Sequence, residues 1–123
     1  MSTLKPDVVA SVLIEVMDER KRQHVRWGEQ SHPDGTGSNV EPLAVMTATT
    51  PAYCYLAAAE LAQLAREDCQ GAFAAGGGTY QHVLKEEFFE ALAEADPVLL
   101  RAELIQVAAV AVAWVEAIDR RAD

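Results

Sequence analysis

Basic residues are scarce in this chain: 10 Lys and Arg stand against 19 Asp and Glu in 123 residues, a net charge of −9. Polymeric nucleic acid and anionic membranes are bound through basic patches that displace counterions, so this balance argues against both as partners. A small phosphorylated ligand is compatible with it where metal ions screen the charge. Cysteine is scarcer still. Cys54 and Cys69 make neither a CxxC nor a zinc spacing, and one pair is no disulfide framework, so reduced thiols in a cytoplasmic protein are expected. The three histidines, His24, His32 and His82, share no ligand spacing, and only His32 falls in a loop where it could meet a substrate. Ser and Cys nucleophiles have no arranged base, and Gly76-Gly77-Gly78 lacks the Lys-Ser/Thr ending of a phosphate loop, so it reads as a flexible connector. The stretch Met1-Ser2-Thr3-Leu4-Lys5-Pro6-Asp7 has no basic segment followed by an apolar core. The apolar run near Val107 is broken by Glu103, Gln106 and Glu116. Neither a leader nor a membrane span is expected.

Half of the residues are hydrophobic, enough for one domain over 1–123 with its own core. No strand signal stands out. Asp7 is placed to cap a first helix with the stripe Val8, Val9, Val12, Leu13 and Val16, running to about Trp27. The same face continues as Glu19, Arg20, Gln23 and Trp27, so a core stripe ends as a polar surface with one aromatic, a pattern that suits a pocket floor. Gly28 ends the helix, and Ser31 to Asn39 is rich in turn formers, a loop with room to act as a lid. Thr50 and Pro51 are a helix start, giving a second helix from Ala52 to about Glu67 with Tyr53, Leu56, Leu61 and Leu64 on one side. Thr79 caps a third helix to about Ala95, and Asp96-Pro97 opens a fourth to about Arg120. Four helices, with a short turn between the last two, predict an all-α antiparallel bundle. The last helix is apolar almost all round from Leu104 to Val115, more than one small subunit covers, so a homo-oligomer (dimer or tetramer) is expected.

Glu103 is the residue that does not fit its surroundings. Its neighbours on the wheel are Leu99, Leu100, Val107, Val110 and Trp114, so the carboxylate points where a core belongs, and an unpaired buried charge costs several kcal/mol. The third helix offers it more acid: Glu86, Glu87 and Glu90 form one arc, opposite Leu84, Phe88, Ala91, Leu92 and Ala95. That arc alone reads as a solvated face. If the helical hairpin brings Glu103 beside Glu87 and Glu90, the carboxylates stay ionised together only around a cation, and oxygen ligands without His or Cys favour Mg²⁺ or Mn²⁺. Carboxylate-held Mg²⁺ binds substrate phosphates and activates water for attack at phosphorus, which makes nucleotide hydrolysis the leading expectation.

Glu86-Glu87-Phe88-Phe89-Glu90, followed after a spacer by Glu103-Leu104-Ile105-Gln106, resembles the EExxE and ExxD signature of the all-α nucleoside triphosphate pyrophosphatases, the MazG-like superfamily. The stretch Glu19 to Gln30 with His32-Pro33-Asp34-Gly35 is also similar to one in MazG-like proteins of phages and actinobacteria. The resemblance implies Mg²⁺-dependent hydrolysis of a (deoxy)nucleoside triphosphate to monophosphate and pyrophosphate. Glu87, Glu90 and Glu103 would be ligands, and Glu86 a further ligand or the group orienting the attacking water. Gln106 stands where the family has Asp; a neutral amide brings no charge, though its carbonyl oxygen can ligate Mg²⁺ or hold a metal-bound water. Glu19, Gln23 and Trp27 are the substrate-binding candidates, with Trp27 and Gln23 suited to stack on and hydrogen-bond a nucleobase. Two other readings stay open: a nucleotide-binding relative without turnover, and a structural oligomeric bundle whose acidic arc is only surface.

Overall fold

The computed structural model describes residues 3–37, 43–46 and 53–122. Among the described residues there are four helices: α1 (Pro6–Trp27), α2 (Ala58–Ala74), α3 (Tyr80–Ala93) and α4 (Pro97–Ala122). A short antiparallel pair, β1 (Leu43–Met46) and β2 (Tyr53–Leu56), lies between α1 and α2 in the chain, in the register Leu43 to Leu56 and Met46 to Tyr53. The helical content agrees with the sequence, but the strands do not. Tyr53-Cys54-Tyr55-Leu56 suits a pleated strand better than a helix, and it overrides the alanine-rich pattern until Ala57, so α2 starts later than expected. The expected cap, Thr50 with Pro51, lies outside the described residues.

The chain divides into two compact units, Met1–Pro33 with Ala111–Asp123, and Asp34–Val110. In the second, α2 and α3 are the closely packed pair. Ala58, Leu61, Ala62, Ala65 and Cys69 follow one another at helical spacing and are all buried, as is Ala91 on α3. The small side chains keep this face thin and allow the helices to approach. At the edge of the pair, Leu61, Leu64, Ala65, Asp68, Lys85 and Phe89 line a groove of about 410 Å³.

The helix ends explain several residues that resembled chemistry in the sequence. Gly76-Gly77-Gly78 is a C-terminal cap rather than a flexible connector: Gly76 takes φ 82°, its N–H donates to the Phe73 carbonyl at 3.1 Å, and the Gly77 N–H reaches back to Ala72 at 2.8 Å. Thr79 caps α3 as expected, accepting from the His82 N–H, while Nδ1 of His82 lies 3.2 Å from the Thr79 N–H. Glu60 serves α2 in the same way, accepting from the Ala57 N–H at 3.2 Å. Asp96 caps α4 through Oδ1, 2.9 Å from the Val98 N–H, with Pro97 in the first turn. At α1 the cap differs from expectation: the helix opens at Pro6 after Lys5, and Asp7 lies within the first turn, where its charge complements the helix dipole.

The loop after α1 is partly fastened. Thr36 donates through Oγ1 to the Glu94 carbonyl at 2.5 Å, and the buried Gly37 donates its N–H to the Leu92 carbonyl at 2.9 Å. Both bonds satisfy carbonyls that the end of α3 leaves without helical partners. Gly37 sits at φ 90°, and a Cβ there would stand 2.8 Å from the Ala95 Cβ. The lid expectation for Ser38 and Asn39 lies outside the described residues.

In the first unit, the expected core stripe of α1 is buried at Val12 and partly covered at Val9, while Leu13, Ile14, Val16 and Met17 stand about half exposed. Further along, Leu99, Leu104 and Ile105 of α4 are more than half exposed, whereas Leu100 is buried. By length and composition alone, α4 is apolar enough to cross a membrane.

Candidate metal centre

Three residues, Glu87 and Glu90 on α3 and Glu103 on α4, each offer a carboxylate oxygen, and the three oxygens lie within 4.8 Å of one another. The local sequence explains the convergence. Glu87 and Glu90 are three residues apart and share a helix face, and only Glu94, Ala95 and Asp96 separate α3 from α4, so Glu103 is in the second turn of the next helix. Leu100, one turn before Glu103, is buried and anchors that face of α4. All three glutamates are half-buried, so the acidic arc is not a freely solvated surface.

Burial also leaves polar atoms without partners. Oε2 of Glu87 and Oε2 of Glu103 are both buried and accept no hydrogen bond from the described residues. Loss of water pushes the Glu87 carboxyl above the ordinary glutamate range, and the charges of Glu90, Glu103 and Glu86 push it further. Burial raises Glu103 in the same direction, with Glu90 and Glu94 adding to it.

The cation that compensates part of this charge comes from α2. Arg66 Nη2 donates to Glu90 Oε1 at 3.2 Å, while Nη1 donates to Gln63 Oε1 at 2.9 Å. One guanidinium faces three carboxylates, and it touches Glu90 only among them. Sequence reasoning missed Arg66 because nothing in a spacing of 24 residues marks the pair. It missed Cys69 for the same reason. The Cys69 thiol is free and buried, with the Glu86 carboxylate among the groups acting on it. Burial first, and then that carboxylate, push it up to about 11. Glu86 is not one of the three converging residues.

The donor set suits a hard divalent ion. Among the described residues it is all carboxylate oxygen, two buried oxygens have no partner, and no His or Cys joins it, which is the chemistry of Mg²⁺ or Mn²⁺ rather than zinc. Gln106 lies three residues beyond Glu103 and is exposed.

Glu19, Gln23 and Trp27 belong to the other unit. Glu19 is paired with Arg22 at 2.8 Å, and Gln23 accepts from Arg20. Trp27 is exposed, carries the Arg26 guanidinium 5.3 Å from its ring centre, and lines an open cleft of about 610 Å³ with Glu29, Gln30, Ser31 and His32.

No family model, curated protein or solved structure matches this chain. What the centre can do is read from its own side chains.

Proposed function

We propose that this chain is a Mg²⁺-dependent nucleotide pyrophosphohydrolase that cleaves a (deoxy)nucleoside triphosphate to the monophosphate and pyrophosphate. The observation that carries the reading is the convergence of Glu87, Glu90 and Glu103, with two buried carboxylate oxygens left without partners. These three residues would hold the ion. A bound divalent ion supplies charge neutralisation for substrate phosphates and an acidified water. Glu86, one position from Glu87 and one of the charges that raise its carboxyl, would orient the attacking water in this reading. Gln106 would add a neutral oxygen from the rim of the site. The resemblance to MazG-like pyrophosphatases over Glu86–Glu90 and Glu103–Gln106 supports the choice of reaction. A cytoplasmic homo-oligomer belongs to the same reading, its contacts drawn from the exposed apolar residues of α1 and α4.

The test is pyrophosphate release from a panel of ribo- and deoxynucleoside triphosphates with Mg²⁺ or Mn²⁺. Release that requires metal and is lost in Glu103→Gln is the expected result. No release across the panel from folded protein overturns the reading.

A second reading, a structural helical bundle, has its own observation. Arg66 neutralises Glu90, and carboxyls raised by burial can stay protonated without any ion. It expects Glu103→Gln to be stabilising in the presence of Mg²⁺ as well as in its absence.

A further inference from the structure

Among the described residues, Arg66 is the cation in direct contact with the acidic centre, and its geometry is that of a group able to leave. Its bond to Glu90 is single rather than a two-point fork: Nη2 reaches Oε1 at 3.2 Å, while Nη1 is engaged by Gln63 at 2.9 Å. The Arg66 side chain is the more exposed of the pair, 39% against 22% for Glu90, so water can receive the guanidinium when the carboxylate is taken. Gln63 remains as a second anchor, itself tied to Glu67 at 2.8 Å, so departure from Glu90 does not strand the arginine.

We propose that Arg66 is the resident counter-ion of the centre and competes with the divalent ion for Glu90, so that metal binding releases the guanidinium from the acidic cluster. This rests on the metal-binding reading above and adds regulation of the same site. Repulsion between the two cations at Glu90 favours the exchange. A divalent ion drawing on Glu90 meets a positive group already bonded to that carboxylate, and the two repel at this range. Once released, the guanidinium keeps its charge beside the centre, free to meet an anion such as phosphate.

The experiment is calorimetric titration of the full chain with Mn²⁺ alone, without nucleotide, for the wild type, Arg66→Gln, Arg66→Lys and Glu103→Gln. An ion pair this exposed is weak, so its removal should tighten Mn²⁺ binding by about two- to fivefold in Arg66→Gln. Arg66→Lys, which keeps the charge, should stay near the wild type. Equal or weaker binding in Arg66→Gln overturns the counter-ion role and leaves the metal reading intact. Failure of the wild type to bind Mn²⁺, or binding that Glu103→Gln does not weaken, overturns the metal reading and the counter-ion role with it. If Arg66→Gln does not fold, the wild type decides. The Arg66 Nε–H resonance, assigned through Arg66→Lys, should shift on addition of Mg²⁺, and a resonance that does not move overturns the proposal.

Discussion

Glu87 on α3 and Glu103 on α4 each end in a buried Oε2 that accepts no hydrogen bond from the described residues, and the charge of Glu103 is one of those holding the Glu87 carboxyl above its ordinary range. Two neighbouring helices thus present their acids to each other. The arrangement favours a proton or a cation between them, and this has consequences for stability and for how it changes with pH.

The first concerns pH. A carboxyl raised in the folded state binds its proton more tightly there than in the unfolded chain. Its contribution to stability is complete below the ordinary glutamate value of about 4.3 and is lost as pH rises through the raised folded value. Both Glu87 and Glu103 are raised, so the metal-free protein should lose stability from about pH 4.3 upward. Thermal unfolding followed by circular dichroism in EDTA would show it. Glu103→Gln should flatten the profile and melt above the wild type at pH 7.5; an unchanged profile in that variant contradicts the electrostatic account.

The second concerns the buried thiol. With Cys69 pushed up to about 11, only a small fraction is thiolate at pH 8. In a Cys54→Ser background, native protein should react with iodoacetamide about two orders of magnitude more slowly than a free cysteine, and at the ordinary rate once unfolded. Glu86→Gln removes a carboxylate that raises the thiol and should speed the native reaction. Rapid alkylation of the folded Cys54→Ser protein would show that Cys69 is neither buried nor raised by Glu86.

The third concerns the loop end fastened to α3. Gly37 has φ 90° and no room for a Cβ beside Ala95, so Gly37→Ala should cost about 1–3 kcal/mol, read as a lower midpoint in urea. Thr36→Val removes only the bond to the Glu94 carbonyl and should cost about 1 kcal/mol. Equal midpoints for Gly37→Ala and the wild type would mean that the loop is not seated there.

Much of the helical framework was legible in local sequence, because caps are short-range chemistry. Thr79, Asp96-Pro97 and Gly28 mark helix ends through groups within four residues of them. The β pair was not legible, since the helix-start signal at Thr50-Pro51 and the alanines beyond it outweighed the strand character of Tyr53–Leu56. In the centre, the wheel correctly puts Glu87 and Glu90 on one arc, and the short turn brings Glu103 to them. The wheel also groups Glu86 with that arc, whereas the oxygens that converge are those of Glu87, Glu90 and Glu103. Arg66 was invisible for a related reason: its partner is set by how α2 packs on α3, and no periodicity within either helix records that. The half-exposed apolar residues of α1 mark another limit, because a periodic stripe tells which residues share a face and not whether the chain itself covers it.

The three-residue turn between α3 and α4 makes the centre a matter of counting. The carbonyls at the end of α3 are held by Thr36 and Gly37, and α4 is helical from Pro97, so the path from Glu90 to Glu103 has no slack to absorb an added or lost residue. One residue inserted between Pro97 and Glu103 would swing that carboxylate by about 100° around the helix and carry it out of reach of its neighbours. Composition in this interval can drift as long as the faces keep their character. Its length cannot, and the distance along the chain from the last acid of one helix to the first of the next is as much a condition of their meeting as the glutamates themselves.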